Sequence, residues 1–127
     1  MSNTSKIQNI SLGKNGEDAV AKHLEKNGFF IVAKNYRKNL GEIDIIASKK
    51  QTICFVEVKT RKKQYFPMAE IIVTKKKKHI IDTAKTYLYE NNISDKVIRF
   101  DVALVRPHDN QYDIEYISDA FSSDQYY

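Results

Sequence analysis

Two strongly apolar runs each carry a lone acid at their centre: Asp44 within "EIDIIA" and Glu57 within "CFVEVKT". An ionised carboxylate in an apolar strand costs several kcal/mol or more unless a cation or hydrogen bonds meet it. Lys59 follows Glu57 by two positions, so a pleated strand projects both from one face and turns Val56 and Val58 to the other. The polar turn "SKKQ" joins the two runs, which predicts an antiparallel hairpin. A loop of two residues (Lys50 and Gln51) or of four (Lys49 to Thr52) has the same centre, and either sets Asp44 opposite Glu57. Directly opposed residues share a face, with Cβ atoms roughly 4.5–5.5 Å apart. A loop of odd length would send one acid to the other face.

Two acids this close repel, and one takes a proton unless a cation lies between them. Lys59 can neutralise part of that charge. Two oxygen ligands with room for water also suit magnesium, which keeps several waters and takes one or two carboxylates. On spacing alone two readings stand side by side: a structural salt-bridge cluster, and a site built for chemistry.

The elements that must position these residues follow from periodicity. Residues 1–10 are polar and read as a loose terminus. Ser11 to Asn27 reads as a helix closed by Gly28, with Val20 and Leu24 on one face and Glu17 beside that stripe. Strands are expected at 29–36, 42–48 and 52–60. "AEIIV" (69–73) is apolar but of undecided type. Thr74 is an N-cap candidate for a second helix to about Asn91, on which Ile80, Ile81, Ala84, Tyr87 and Leu88 form the apolar stripe. "VIRFDVALV" (97–105) reads as a strand stopped by Pro107, and 111–118 as a final edge strand. The order α-β-β-β-α-β-β predicts one α/β domain over 11–121, a mixed sheet with a central antiparallel hairpin and flanking helices, and a tail over 122–127.

Charge narrows the function. The chain has 127 residues, 21 Lys and Arg against 16 Asp and Glu, and a net charge of +5. "KTRKK" (59–63) and "KKKK" (75–78) concentrate the surplus, which favours a polyanion, nucleic acid before an anionic membrane surface. The lysine runs lie beside strands and not on a basic amphipathic anchor, which places the membrane behind. The single cysteine, Cys54, excludes an internal disulfide and fits a small buried hydrophobe. No apolar h-region opens the chain and no apolar run approaches a membrane span, so a soluble cytoplasmic protein is expected. Three scattered histidines show no zinc spacing, and neither a phosphate-binding glycine loop nor a serine or cysteine nucleophile signature is present.

Asp44 followed by "EVK" on the next strand resembles the PD-(D/E)xK nuclease superfamily. The ordered segments "GEDAVAKHLEKNGFFIVAKNYR", "GEIDIIA", "FVEVKTR", "AKTYL" and "RFDV" are similar to the YraN-like family, related to Holliday junction resolvases. They extend over nearly the whole chain. The resemblance implies a restriction-endonuclease-like domain and a Mg2+- or Mn2+-dependent endonuclease acting on DNA, branched or otherwise structured. It makes Asp44 and Glu57 metal ligands and Lys59 the catalytic lysine, and it matches Glu17 to a helix-borne acid of the metal site. Where many relatives carry a glycine after the "VK.R" strand, this chain reads "QYFPMAE". The alternative class is a nucleic-acid-binding or assembly protein that keeps the nuclease fold without turnover.

Arg61, Lys62, Lys63, Lys76 and Lys77 are the candidates for binding a nucleic-acid backbone, the last two at a helix N-terminus, where amides favour phosphate. Tyr65 and Phe66 are placed either to stack on a base or to cover the core. Glu42 shares the face of Asp44 and reads equally as an outer ligand or a hairpin-end charge. Arg99 and Asp101 form an ion pair on one strand face, outside the catalytic set. Resolvase-like action on symmetric junctions would imply a homodimer.

Overall fold

The computed structural model describes residues 15–39, 41–62 and 74–123. A helix, α1, covers 15–26 of these and is followed by strands β1 (Phe30–Lys38), β2 (Gly41–Lys49) and β3 (Thr52–Thr60). Helix α2 (Thr74–Glu90) leads to β4 (Val97–His108) and β5 (Gln111–Phe121). The five strands lie side by side in chain order. Every neighbouring pair is antiparallel except β3 and β4, which run parallel and are joined through α2. The expected α/β class, mixed sheet and central hairpin are therefore present, an architecture compatible with a small nuclease-like domain.

The sheet is covered on both faces, because alternate residues of its central strands feed two cores. Ile46, Ile53, Phe55, Phe100 and Leu104 pack under Ile80, Ile81 and Ala84 of α2. Ile45, Ala47, Cys54, Val56, Ala103 and Val105 pack under Val20, Ala21 and Leu24 of α1. Both helical stripes expected from spacing are thus the buried ones. Burying a side chain of this size contributes about 1.5–3 kcal/mol.

Helix α1 ends as its "NG" suggests. Gly28 has φ 88, its N–H bonds to the Glu25 carbonyl, and the Phe29 N–H reaches back to Leu24. This is a Schellman closure, in which the left-handed residue costs little only because it has no Cβ. It delivers Phe29 and β1 back along the sheet.

Two expectations are corrected. Pro107 does not stop β4, which continues to His108. The β3 side of β4 is paired only as far as Val105, so a residue without an N–H is tolerated beyond it. Asp44 and Glu57 are also not a ladder pair: the β2–β3 ladder runs from Lys49–Thr52 to Ile45–Val56 and goes no further. The register and the two-residue loop, Lys50 and Gln51, are as expected. What intervenes is a break in the pleat. Ile43 and Ile45, two residues apart, belong to opposite cores, so the alternation fails at Asp44. On the neighbouring strand Asn35 has φ 53, a kink between Lys34 and Tyr36, which pair with Ile45 and Ile43.

Candidate functional site

The break puts the Asp44 carboxylate where a backbone partner would have been. Its Oδ2 accepts the Val58 N–H at 2.8 Å, so the side chain caps the ladder of its own hairpin. Burial first, and the adjacent Glu57 carboxylate second, push the Asp44 acid up to about 8, against the pull of the Val58 N–H. Glu17 on α1 adds to the upward push, which places the helix-borne acid within electrostatic reach of Asp44. The two strand acids therefore do share one neighbourhood.

Glu57 is buried, at 5% exposure, and is met by two ammonium groups. Lys59 Nζ lies 3.7 Å from its Oε1 and Lys76 Nζ lies 2.5 Å from the same oxygen. The expected shared face of Glu57 and Lys59 is thus observed. Lys76 comes from the first turn of α2, which the crossover after β3 sets beside the C-terminal half of that strand. Burial lowers the Lys59 ammonium, and Lys76 beside it adds to the effect. Burial also works against the charge on Lys76, but its contacts with Glu57 prevail and raise it.

Glu17 is half-buried, and its acid is raised by burial while the Asn35 side chain pulls it back down. Glu42 pairs with Arg37, its register partner on β1, at 3.2 Å, and also repels Glu17. Among the described residues, no three His, Cys, Asp or Glu side chains gather as one metal cage. The carboxylates brought together are Asp44 and Glu57, with Glu17 within electrostatic reach of Asp44.

The basic candidates divide. Arg61 is exposed and donates to the Thr60 carbonyl, and Lys62 is exposed. Lys76 is engaged by Glu57, and Lys77 Nζ lies 5.9 Å from the centre of the Phe121 ring. Lys63, Tyr65 and Phe66 fall outside the described residues. Arg99 and Asp101 are paired as expected, at 2.9 Å, on the α1 face of the sheet and apart from Glu57.

The role of Lys76 as counter-ion to Glu57 was missed from the sequence, although a signal existed. A helical crossover that follows a strand begins near that strand's C-terminal end, so the first-turn lysines were candidates for facing Glu57 as well as solvent.

Fold and site together define a single-sheet α/β protein whose central hairpin holds a buried Glu57 beside a half-buried Asp44, with two lysines on Glu57. Comparison with known proteins assigns it further. Residues 16–105 match the uncharacterised protein family UPF0102. A UPF0102 protein of Clostridium perfringens strain SM101 is 42% identical over 119 residues, covering 91% of this chain and 98% of the relative. One from Chlorobium phaeobacteroides is 41% identical over 120 residues, covering 89% and 94%. One from Sulfurihydrogenibium is 43% identical over 111 residues, covering 87% and 93%. The chain belongs to the UPF0102, or YraN-like, family.

Proposed function

We propose that this protein is a Mg2+- or Mn2+-dependent endonuclease that hydrolyses phosphodiester bonds in DNA. The observation that supports it is the Asp44–Glu57 pair: two carboxylates held together on a rigid hairpin, with lysines at hand and basic segments alongside. Burial and mutual repulsion leave one of the acids disposed to hold a proton, and a divalent cation is the partner that would let both ionise. Asp44 and Glu57 would hold such an ion together with water, with Glu17 as an outer acid on the α1 side. Bound there, the ion would polarise a phosphoryl oxygen and acidify its water.

Residues of the chain account for the rest. The Val58 N–H orients Asp44, which keeps one oxygen for a ligand. Lys59, whose ammonium is pushed below its ordinary pKa by burial, would orient the attacking water or stabilise charge at the phosphoryl group. Arg61 and Lys62, both exposed just beyond β3, would bind the backbone, so that affinity falls steeply with salt.

Cleavage of plasmid, flap and four-way-junction DNA with magnesium or manganese tests the reading. Activity that exceeds a Lys59→Ala control supports it, and no excess on any of the substrates defeats it. Lys76 on Glu57 favours a second reading, a nucleic-acid-binding protein without turnover, because it neutralises the acid with no metal. Calorimetry separates the two: the nuclease has a magnesium or manganese site that disappears in Asp44→Ala.

A further inference from the structure

A second cluster lies on the other face of the sheet, on β4, where Asp101 is the register partner of Val56. Asp101 is fully buried, and its carboxylate holds three groups at once. Arg99 donates Nε to Oδ1 at 2.9 Å and Nη2 to Oδ2 at 3.0 Å, Tyr116 donates its hydroxyl to Oδ2 at 2.5 Å, and the Asp119 N–H bonds to Oδ1 at 2.9 Å. These bonds clamp one edge of the Arg99 guanidinium. Its Nη1 makes no hydrogen bond among the described residues, and the side chain borders a pocket of about 430 Å³.

The composition of that pocket is one-sided. Arg99, Lys49, Lys50 and His23 line it, and no acid does among the described residues. Its aromatic members are arranged as well as present. Phe29 has the Lys49 ammonium 5.4 Å and the Arg99 guanidinium 5.8 Å from its ring centre. Tyr116 and His23 stack with centroids 5.7 Å apart. The volume exceeds what a lone inorganic anion needs and falls within the range of small-ligand sites. Buried Asp101 explains why the arginine is held: a guanidinium fixed along one edge presents the other without further loss of entropy.

We propose that this pocket binds a nucleotide phosphate, with the base against the Phe29, Tyr116 and His23 rings and the phosphate met by Arg99, Lys49 and Lys50. The chemistry is the same for a free nucleoside monophosphate and for the 5′-phosphorylated end of a strand. Arg99 is the register partner of Cys54, three residues or about 10 Å before Glu57 along β3, and lies on the opposite face of the sheet from Glu57. Binding here therefore does not depend on whether Asp44 and Glu57 hold a metal.

The test is titration of the intact chain in EDTA, which silences any metal site, followed by the chemical shifts of pocket residues. The probes are AMP, adenosine, inorganic phosphate, and one short single-stranded DNA with and without a 5′ phosphate. AMP, the phosphorylated strand or both are expected to bind at least about tenfold more tightly than the matching probe without phosphate. A preference for AMP identifies the free nucleotide as the ligand, and a preference for the strand identifies the strand end. Arg99→Gln risks the fold by stranding Asp101, so exposed Lys50→Glu is the working variant, expected to weaken AMP or strand binding about fivefold or more. The proposal is overturned if adenosine binds as well as AMP, if inorganic phosphate binds as well as AMP, if a folded Lys50→Glu binds undiminished, or if neither phosphorylated probe binds.

Discussion

The Lys76 ammonium and the Glu57 carboxylate meet at 2.5 Å, although they are 19 positions apart in the chain. Since Lys59 stands 3.7 Å from the same oxygen, Glu57 Oε1 is shared between two cations. A divalent ion taking that oxygen must displace Lys76, which is tethered to a helix end and not to the strand. Lys76→Ala should therefore tighten magnesium or manganese binding, by about fivefold or roughly 1 kcal/mol. Calorimetry on the variant decides it, and an unchanged dissociation constant would show that Lys76 does not guard the oxygen.

Asp44 pays for its position in stability. Asp44→Asn keeps an oxygen for the Val58 N–H while removing a half-buried acid repelled by Glu57 and Glu17. Without metal at neutral pH, the variant should be more stable than the parent, by on the order of 1–3 kcal/mol. Asp44→Ala strands the Val58 N–H and should lose about 1–3 kcal/mol by comparison with Asp44→Asn. Denaturant midpoints of the three proteins measured in EDTA would reverse this view if Asn and Ala ranked together.

Gly41 lies where β2 passes under α2. A Cβ there would run into the Thr83 hydroxyl and come within 2.8 Å of the His79 carbonyl, the two groups that hydrogen-bond each other inside the helix. Thr83 is buried and cannot swing away. Gly41→Ala should cost about 1–3 kcal/mol or more by prying the helix from the sheet. Thermal unfolding reads this, and a midpoint equal to that of the parent would rule out the close approach.

Alkaline pH should weaken the protein through the Asp101 cluster. Burial, reinforced by the Asp101 carboxylate, pushes the Cys54 thiol up to about 12, and the same two causes raise the Tyr116 hydroxyl. Both groups keep their protons longer folded than unfolded. Their contribution is thus fully present below pH 9, the ordinary thiol value, and is lost as pH rises toward about 12. Tyr116→Phe should lower the unfolding midpoint at pH 7, through the lost bond to a charged acceptor, yet flatten its decline above pH 10. Parallel declines in the variant and the parent would remove Tyr116 from the account.

The parts of this structure legible in the sequence are those governed by local periodicity. The stripe of α2, the Gly28 closure and the even hairpin loop each depend on residues a few positions apart, and each is found. The face shared by Glu57 and Lys59 follows from the pleat alone. Direct opposition of Asp44 and Glu57 was not legible, because the break in alternation at Asp44 coincides with a kink in β1, a different strand. Nor was the persistence of β4 through Pro107, which depends on where its neighbour's ladder stops. The pairing of Lys76 with Glu57 was signalled only by element order, a crossover helix beginning near the end of β3, and not by any local periodicity around either residue.

The sheet whose strands lie in chain order has a bearing on how the molecule can be divided. The meander β1–β3 carries Asp44, Glu57 and Lys59, while the hairpin β4–β5 carries Arg99, Asp101 and Tyr116. No strand of one half inserts into the other; within the sheet they meet at a parallel seam, with Glu57 beside Val102, while α2 of the second half packs over Ile46, Ile53 and Phe55 of the first and α1 of the first over Ala103 and Val105 of the second. Expressed as two pieces separated between β3 and α2, the chain should reassemble along that seam, and only reassembly reunites Glu57 with Lys76 and Arg99 with the Phe29 ring.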